Sequence, residues 1–186
     1  MLTLVYKKKI TMPCTITTGR ALPCKTAFGG IKTIYFADFG GLTAVAFTDG
    51  KVSAFTGSVA GWTKWSVKGS SSLETTVTSS RENGTTFYTQ TLNATFTFLD
   101  ALTQNELQIV AVGRPYVAVE DYYGNVFLCG FENGMELTSG TTVTGAAPGD
   151  LSGFTIVMEG MEESAPLFLA SAALLTPIDS DIIVPN

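Results

Sequence analysis

Two pairs of adjacent acidic residues, Glu120-Asp121 and Glu162-Glu163, are the first side chains here to consider for chemistry. Two carboxylates that face one substrate act together in glycosidases. Neighbouring residues of a β-strand point to opposite sides of the sheet, so neither pair converges on one site. The chain has no histidine, which removes Ser-His-Asp and Cys-His systems and the commonest general base. We therefore expect no enzyme, and a carboxylate-based hydrolase is the least supported hypothesis.

The cysteines and a glycine-rich segment offer no better ligand site. Cys14, Cys24 and Cys129 include no CxxC pair, and three thiols without histidine make a poor metal site. A Cys14–Cys24 disulfide is the alternative to three reduced thiols that pack as small hydrophobic residues. Residues 28–32 lack the spacing of a phosphate-binding loop and precede a predicted strand, so they indicate a turn. We expect no metal and no cofactor.

Aromatic residues could form a different kind of site, a glycan-binding surface. The chain contains 12 Phe, 6 Tyr and 2 Trp. Trp62, Trp65, Tyr122 and Tyr123 are the residues that would stack on sugar rings. Aromatic side chains more often fill β-sheet cores or subunit interfaces, so we favour packing for these four.

The acidic and aromatic residues named above must be positioned mainly by β-strands. The clearest strand pattern in the sequence is a long hairpin over residues 73–98. From residue 86 to 98 the even positions are mostly apolar and the odd positions are Thr or Asn, which indicates a two-faced strand. Residues 85–98 would extend roughly 45 Å, beyond the usual strand length. Residues 73–81 are rich in Ser and Thr, so the hairpin has one polar arm and a weakly specified register.

The tip of this hairpin is the first predicted assembly interface. Its residues are Glu82, Asn83, Gly84 and Thr85. A polar hairpin that projects from a small domain favours contact with a neighbouring subunit. An ordinary hairpin with one solvated face is the alternative.

One helix is predicted immediately after the hairpin. Residues 103–106 read as a capping box, and Gly113 and Pro115 are stop signals. The helix should cover Gln104 to about Val112. Its apolar end, residues 109–112, predicts packing on a sheet rather than exposure.

The remaining segments predict further strands. The strongest local prediction is a hairpin of residues 43–48 and 51–56 around Asp49-Gly50, a type I′ turn signal. Further strands are predicted over residues 31–36, 61–68, 116–120, 126–131, 136–144 and 154–159, while 167–175 could be a strand or a short helix. The fold class is mainly β (α+β): an antiparallel β-sandwich or partial barrel with one flanking helix and a long β-hairpin.

The length of 186 residues suits one domain, for which we predict residues 12–177 with arms at 1–11 and 178–186. Lys7, Lys8 and Lys9 form the one basic run, beside an apolar segment too short for a signal peptide. We interpret residues 1–11 as an extended arm and include the three lysines in the predicted assembly interface.

The composition indicates a subunit of an assembly. Only 15% of residues are charged, against about 25% in a typical soluble protein, and the mean hydropathy is +0.28. The longest apolar run, residues 167–175, is shorter than the roughly 20 residues that span a bilayer, so we expect no membrane span. A net charge of −5 disfavours a nucleic-acid reader, which carries a basic footprint. Subunit interfaces best explain the sparse charge.

Several segments resemble virion structural proteins of tailed bacteriophages, specifically tail-tube and head–tail ring proteins. The resemblance covers nearly the whole of residues 12–169 and lies in the opening segments 12–20, 23–25 and 29–36, the strand end 90–92, the helix that follows, and segments 121–125, 149–154 and 160–162. None of these segments is a catalytic signature.

This resemblance implies a β-sandwich with one flanking helix, six copies of which join their sheets into a ring. Rings would stack into, or connect to, a tail tube through which DNA passes without specific binding. The expected location is the virion tail or head–tail junction, after assembly in the host cytoplasm, with other tail or connector proteins as partners. The alternative from another class is a capsid decoration or fibre-associated glycan-binding module.

Overall fold

The computed structural model describes residues 16, 18–22, 25–26, 28–67 and 69–176. The predicted arms at 1–11 and 178–186, with Lys7, Lys8 and Lys9, lie outside the described residues, as do Cys14 and Cys24. Within the described part the strands are β1 (Ile31–Ala37), β2 (Leu42–Thr48), β3 (Lys51–Gly57), β4 (Thr63–Ser66), β5 (Ser72–Ser80), β6 (Thr85–Thr97), β7 (Tyr116–Asp121), β8 (Val126–Cys129), β9 (Glu136–Val143), β10 (Gly153–Glu162) and β11 (Leu167–Leu169). The α-helix is α1 (Ala101–Val112), and a 3₁₀ helix covers Ala172–Leu174.

The strands form two sheets. The larger has the order β2-β3-β11-β8-β7-β1-β4 and the smaller the order β5-β6-β10-β9. Neighbouring strands are antiparallel except β3 and β11, which are parallel. The predicted fold class, a mainly β sandwich with one helix and a long hairpin, is confirmed.

The seven-stranded sheet has a hydrophobic core on each side. One core lies between the sheets and contains Ile34, Leu92 and Met158. The other contains residues from both ends of the larger sheet, Leu42 of β2 and Trp62 just before β4, so the sheet curls around it. β1 is accordingly buried on both faces except at Lys32.

The long hairpin is confirmed. β5 and β6 pair continuously from Ser72–Asn93 to Ser80–Thr85, and β10 pairs with β6 only as far as Tyr88. The last three β5–β6 pairs therefore form a two-stranded ribbon, about 10 Å long at the usual rise per residue.

Two other local predictions are also confirmed. Asp49 and Gly50 both have positive φ, 53° and 77°, as a type I′ turn between β2 and β3 requires. The ambiguous segment 167–175 contains both predicted structures, first the strand β11 and then the 3₁₀ helix.

The helix begins earlier than predicted. Its N-cap is Asp100, whose Oδ2 accepts hydrogen bonds from the backbone N–H of Leu102 (2.9 Å) and of Thr103 (3.0 Å). The predicted capping box at Thr103 is wrong because the helix begins at Ala101, so Thr103 already lies in its first turn and Asp100 is the cap. The predicted end at Val112 is confirmed.

The predicted packing of the helix end is wrong in part. Leu107 is buried and Val110 is partly buried against the core, but Ile109 and Val112 face solvent. Phe98 departs from the strand pattern too, because β6 ends at Thr97 and Phe98 adopts φ 71° with its ring 64% exposed. The helix thus has an apolar side that is largely exposed to solvent.

We expect Asp100→Ala to lower the free energy of unfolding by about 1 kcal/mol, because two amides at the helix start lose their acceptor. Glu106→Ala removes a carboxylate from the same helix and should change stability by less than about 0.5 kcal/mol. Urea unfolding followed by circular dichroism measures both variants. Equal losses would support the original capping box instead.

Candidate assembly surface

The side of the four-stranded sheet that faces away from the sandwich is here called the outer face. Inward residues of β6 and β10, such as Leu92 and Ile156, are buried, and the alternate positions form the outer face. Hydroxyl groups dominate it: Ser72, Thr76, Thr78, Thr89, Thr91, Thr95, Thr97, Ser139, Thr141 and Thr155. The outer face is therefore polar without being strongly charged.

Three carboxylates lie in one row across the outer face. The strand registers place Glu74 of β5 opposite Thr91 of β6, Thr91 opposite Glu159 of β10, and Glu159 opposite Glu136 of β9. The four strands of this sheet, all within the described residues, contain no Lys or Arg. Like charges directly opposite each other are unfavourable, so Glu159 and Glu136 are not explained by stability of the sheet.

Both edges of the four-stranded sheet lack a neighbouring strand among the described residues. β5 forms one edge and β9 the other. Both strands are almost fully exposed, and β9 has a bulge at Thr138, whose hydroxyl donates to the carbonyl of Val157. Unpaired edge strands are templates for pairing with another chain.

The predicted interface residues at the hairpin tip lie on the surface. Glu82, Asn83, Gly84 and Thr85 are all exposed. The tip is ordered by its own contacts, because the backbone N–H of Asn83 donates to the Ser80 hydroxyl. The other predicted interface residues, Lys7, Lys8 and Lys9, lie outside the described residues.

The predicted stacking residues do not form one surface. Trp62 is 1% exposed and belongs to the second core, so it offers no face to a sugar, and its assignment to a glycan site is wrong. Trp65 is partly buried and packs edge-on against Phe36 and Phe96, which also makes it a core residue.

Tyr122 and Tyr123 are the exposed members of that set. They lie in the turn between β7 and β8 and are 41% and 59% exposed. Phe28 packs against Tyr122 with ring centroids 5.5 Å apart. This leaves a small aromatic patch that does not include either tryptophan.

The paired carboxylates serve the structure. Glu120 accepts hydrogen bonds from Lys32 Nζ and Tyr35 Oη, both at 3.1 Å, while Asp121 accepts two from Asn125 and shapes the β7–β8 turn. Glu162 is buried and accepts from backbone amides at the turn before β9. Glu120, Asp121 and Glu162 therefore each have their own hydrogen-bond partners.

Other chemistry finds little support in the described part of the chain. Cys129 is buried as predicted, and burial raises the pKa of its thiol well above the usual range. The described residues contain no group of three or more side chains able to hold a metal ion. Among them, no helix is long and apolar enough to cross a membrane.

Comparisons with known proteins give no family for this chain. No protein-family model, no curated protein and no solved structure matches it. The functional argument therefore depends on the surface itself.

Sequence alternation predicts the polar outer face. It does not predict the row of Glu74, Glu159 and Glu136, because the row forms only when the strands are paired in register.

The Tyr35–Glu120 contact predicts a loss of stability at alkaline pH. Burial and the Glu120 carboxylate raise the pKa of Tyr35 to about 12 from its usual 10.0. Because the folded-state pKa is higher, protonated Tyr35 stabilises the fold fully below about pH 10, and this contribution is lost as the pH rises towards 12.

We expect Tyr35→Phe to be less stable than the parent at neutral pH, by about 1 kcal/mol for the lost hydrogen bond. The variant should also lose less stability than the parent between pH 10 and 12. Urea unfolding at several pH values measures the slope, with Tyr123→Phe as an exposed control. An unchanged slope in Tyr35→Phe would contradict the assignment.

Proposed function

We propose that this chain is a virion structural protein whose copies form hexameric rings that stack into, or connect to, a phage tail tube through which DNA passes. The observation that carries the proposal is the four-stranded sheet. Its outer face is hydroxyl-rich and acidic, and neither of its edges pairs with another strand of the described residues. The number of six copies comes from the sequence resemblance.

The strand directions support a ring of joined sheets. β5, β6, β10 and β9 alternate in direction, so β9 runs opposite to β5. When a copy is rotated about a ring axis, its β5 edge meets the β9 edge of its neighbour in antiparallel orientation. Such a head-to-tail contact uses both edges and generates a closed ring when the rotation closes.

The outer face suits the wall of a DNA channel. Proteins hold DNA mainly through Lys and Arg, which neutralise phosphates and release counterions. Glu74, Glu136 and Glu159 do the opposite, because they repel phosphates, and the surrounding hydroxyl groups remain hydrated. A wall of this kind lets DNA slide past without adhering to it.

The glycan-binding alternative has less structural support. Trp62 and Trp65 are core residues, so only Tyr122 and Tyr123 remain for stacking. Two tyrosines in one turn form a smaller platform than the four-residue site that the sequence predicts. We therefore place the decoration or fibre module second.

Negative-stain electron microscopy of the purified protein over a concentration series tests the proposal. We expect rings with a central channel, or stacks of such rings, at high concentration. Stacks would indicate a tube subunit, and single rings would indicate a connector. Uniform small particles at every concentration would contradict ring assembly and favour the decoration module.

The projecting end of the hairpin should be required for assembly but not for folding. Thr78 and Phe87 are paired, so residues 79–86 can be replaced by Asn-Gly, which closes a two-residue turn. We expect a folded monomer by circular dichroism and no rings by microscopy. Global unfolding of this variant would show that the removed segment belongs to the core.

The carboxylate row should control DNA adhesion. In the triple variant Glu74→Lys, Glu136→Lys and Glu159→Lys, we expect assembled rings that retain double-stranded DNA at low salt, with affinity that falls steeply as salt rises. The matched Gln triple variant should bind weakly. Fluorescence anisotropy with a short duplex measures both. If rings of the Lys variant do not bind DNA, the carboxylate row does not line the channel.

A further inference from the structure

The two sides of the sandwich, beside β9 and beside β5, differ in whether the core between the sheets is covered. On the β9 side, helix α1 packs against β9, and its residues Leu107 and Val110 join the core between the sheets together with Leu137. This side of the core is therefore covered by the chain's own helix.

The β5 side is left open. A cleft of about 480 Å³ lies there between β5 and the larger sheet. Its apolar lining includes Ile31, Leu73, Val119, Phe127 and Phe168. The rings of Phe127 and Phe168 lie 4.6 Å apart, and Phe168 is 44% exposed. No described segment of the chain fills this cleft.

Helix α1 has a second apolar stripe that faces largely away from its own domain. Leu102, Ile109 and Val112 are all largely exposed. At about 100° per residue they fall within about 80° of each other on the helix, on the side opposite the buried Leu107. Phe98, turned outward by its positive φ, lies just before the same helix.

We propose that the stripe of Leu102, Ile109 and Val112 docks into the β5-side cleft of a neighbouring copy of this chain. The inference rests on the proposed ring. Each helix would then close two sandwiches, its own through Leu107 and the neighbour's through Ile109.

The occupant is a second copy because one sheet carries both halves of the contact. The helix packs on β9, and the cleft is lined by β5 at the opposite edge. Pairing of β9 with the β5 of a neighbour brings the helix of the first copy beside the cleft of the second. The contact is heterologous, so it repeats around a ring instead of ending at a dimer.

A cysteine pair tests this contact directly. One protein carries Ile109→Cys and the other carries Phe168→Cys, both with Cys14→Ser and Cys24→Ser so that buried Cys129 is the one native thiol left. After mixing and mild oxidation, we expect a disulfide between the two proteins on a non-reducing gel. Gln104→Cys, exposed on a different side of the helix, is the matched control and should not link to Phe168→Cys.

A charge in the stripe provides a second measurement. We expect Ile109→Glu to fold as the parent does and to raise the concentration needed for half-assembly by at least about tenfold, which corresponds to about 1.4 kcal/mol. Gln104→Glu adds the same charge outside the stripe and should assemble as the parent does. Sedimentation velocity measures the assembled fraction, and circular dichroism confirms the fold.

The outcomes separate this inference from the proposed function. Rings without the Ile109–Phe168 link, and with Ile109→Glu assembling normally, would overturn the docking while leaving the ring. Disulfides between two Ile109→Cys chains would overturn it in favour of helix-to-helix contact. The expected link in species that never close would support the docking and contradict the ring. A parent protein that stays monomeric and unlinked would contradict both.

Discussion

The register between β6 and β10 determines which residues form the core and which form the outer face. Ten residue pairs join these strands, from Gly153–Thr97 to Glu162–Tyr88. A slip of one residue would turn the apolar set of one strand outward, either that of β6 with Leu92 or that of β10 with Ile156, and would bring the outer-face residues of that strand inward. β5 and β9 are positioned by this central pair, so the hydroxyl face, the carboxylate row and both open edges depend on it.

Polar contacts at one end of the sandwich hold this register. The buried amide of Gln90 accepts a hydrogen bond from the Gly130 N–H and donates one to the carbonyl of Ser164. Opposite Gln90, a Cβ on Gly160 would lie 3.1 Å from the carbonyl oxygen of Gly134, so a larger residue would push the next turn away. Buried polar groups with specific partners favour one pairing over its neighbours. They fix the register that the Ser- and Thr-rich arm specifies weakly by itself.

Alternation predicted most of the strands because most of them have at least one buried face. It failed where a chain reversal or a tertiary contact decided the outcome. Thr103 looks like a helix cap, but the chain leaves the strand at Phe98 and Asp100 reaches the first amides. Trp62 looks like a binding residue, but curling of the larger sheet buries it. The carboxylate row and the cleft combine residues distant in sequence, so no local pattern contains them.

In the ring that we propose, the exposed helix stripe serves assembly rather than folding. Ile and Val are weaker helix formers than Gln, Lys or Glu, and at exposed positions no packing within the domain offsets that difference. Ile109 and Val112 therefore favour neither the stability of an isolated helix nor the solubility of an isolated domain. The same holds for the apolar cleft beside β5 and for the facing carboxylates of Glu159 and Glu136. All three features are unfavourable in a free monomer. Each becomes favourable, or at least harmless, when the edges are paired, the cleft is filled and the carboxylates face water in a channel.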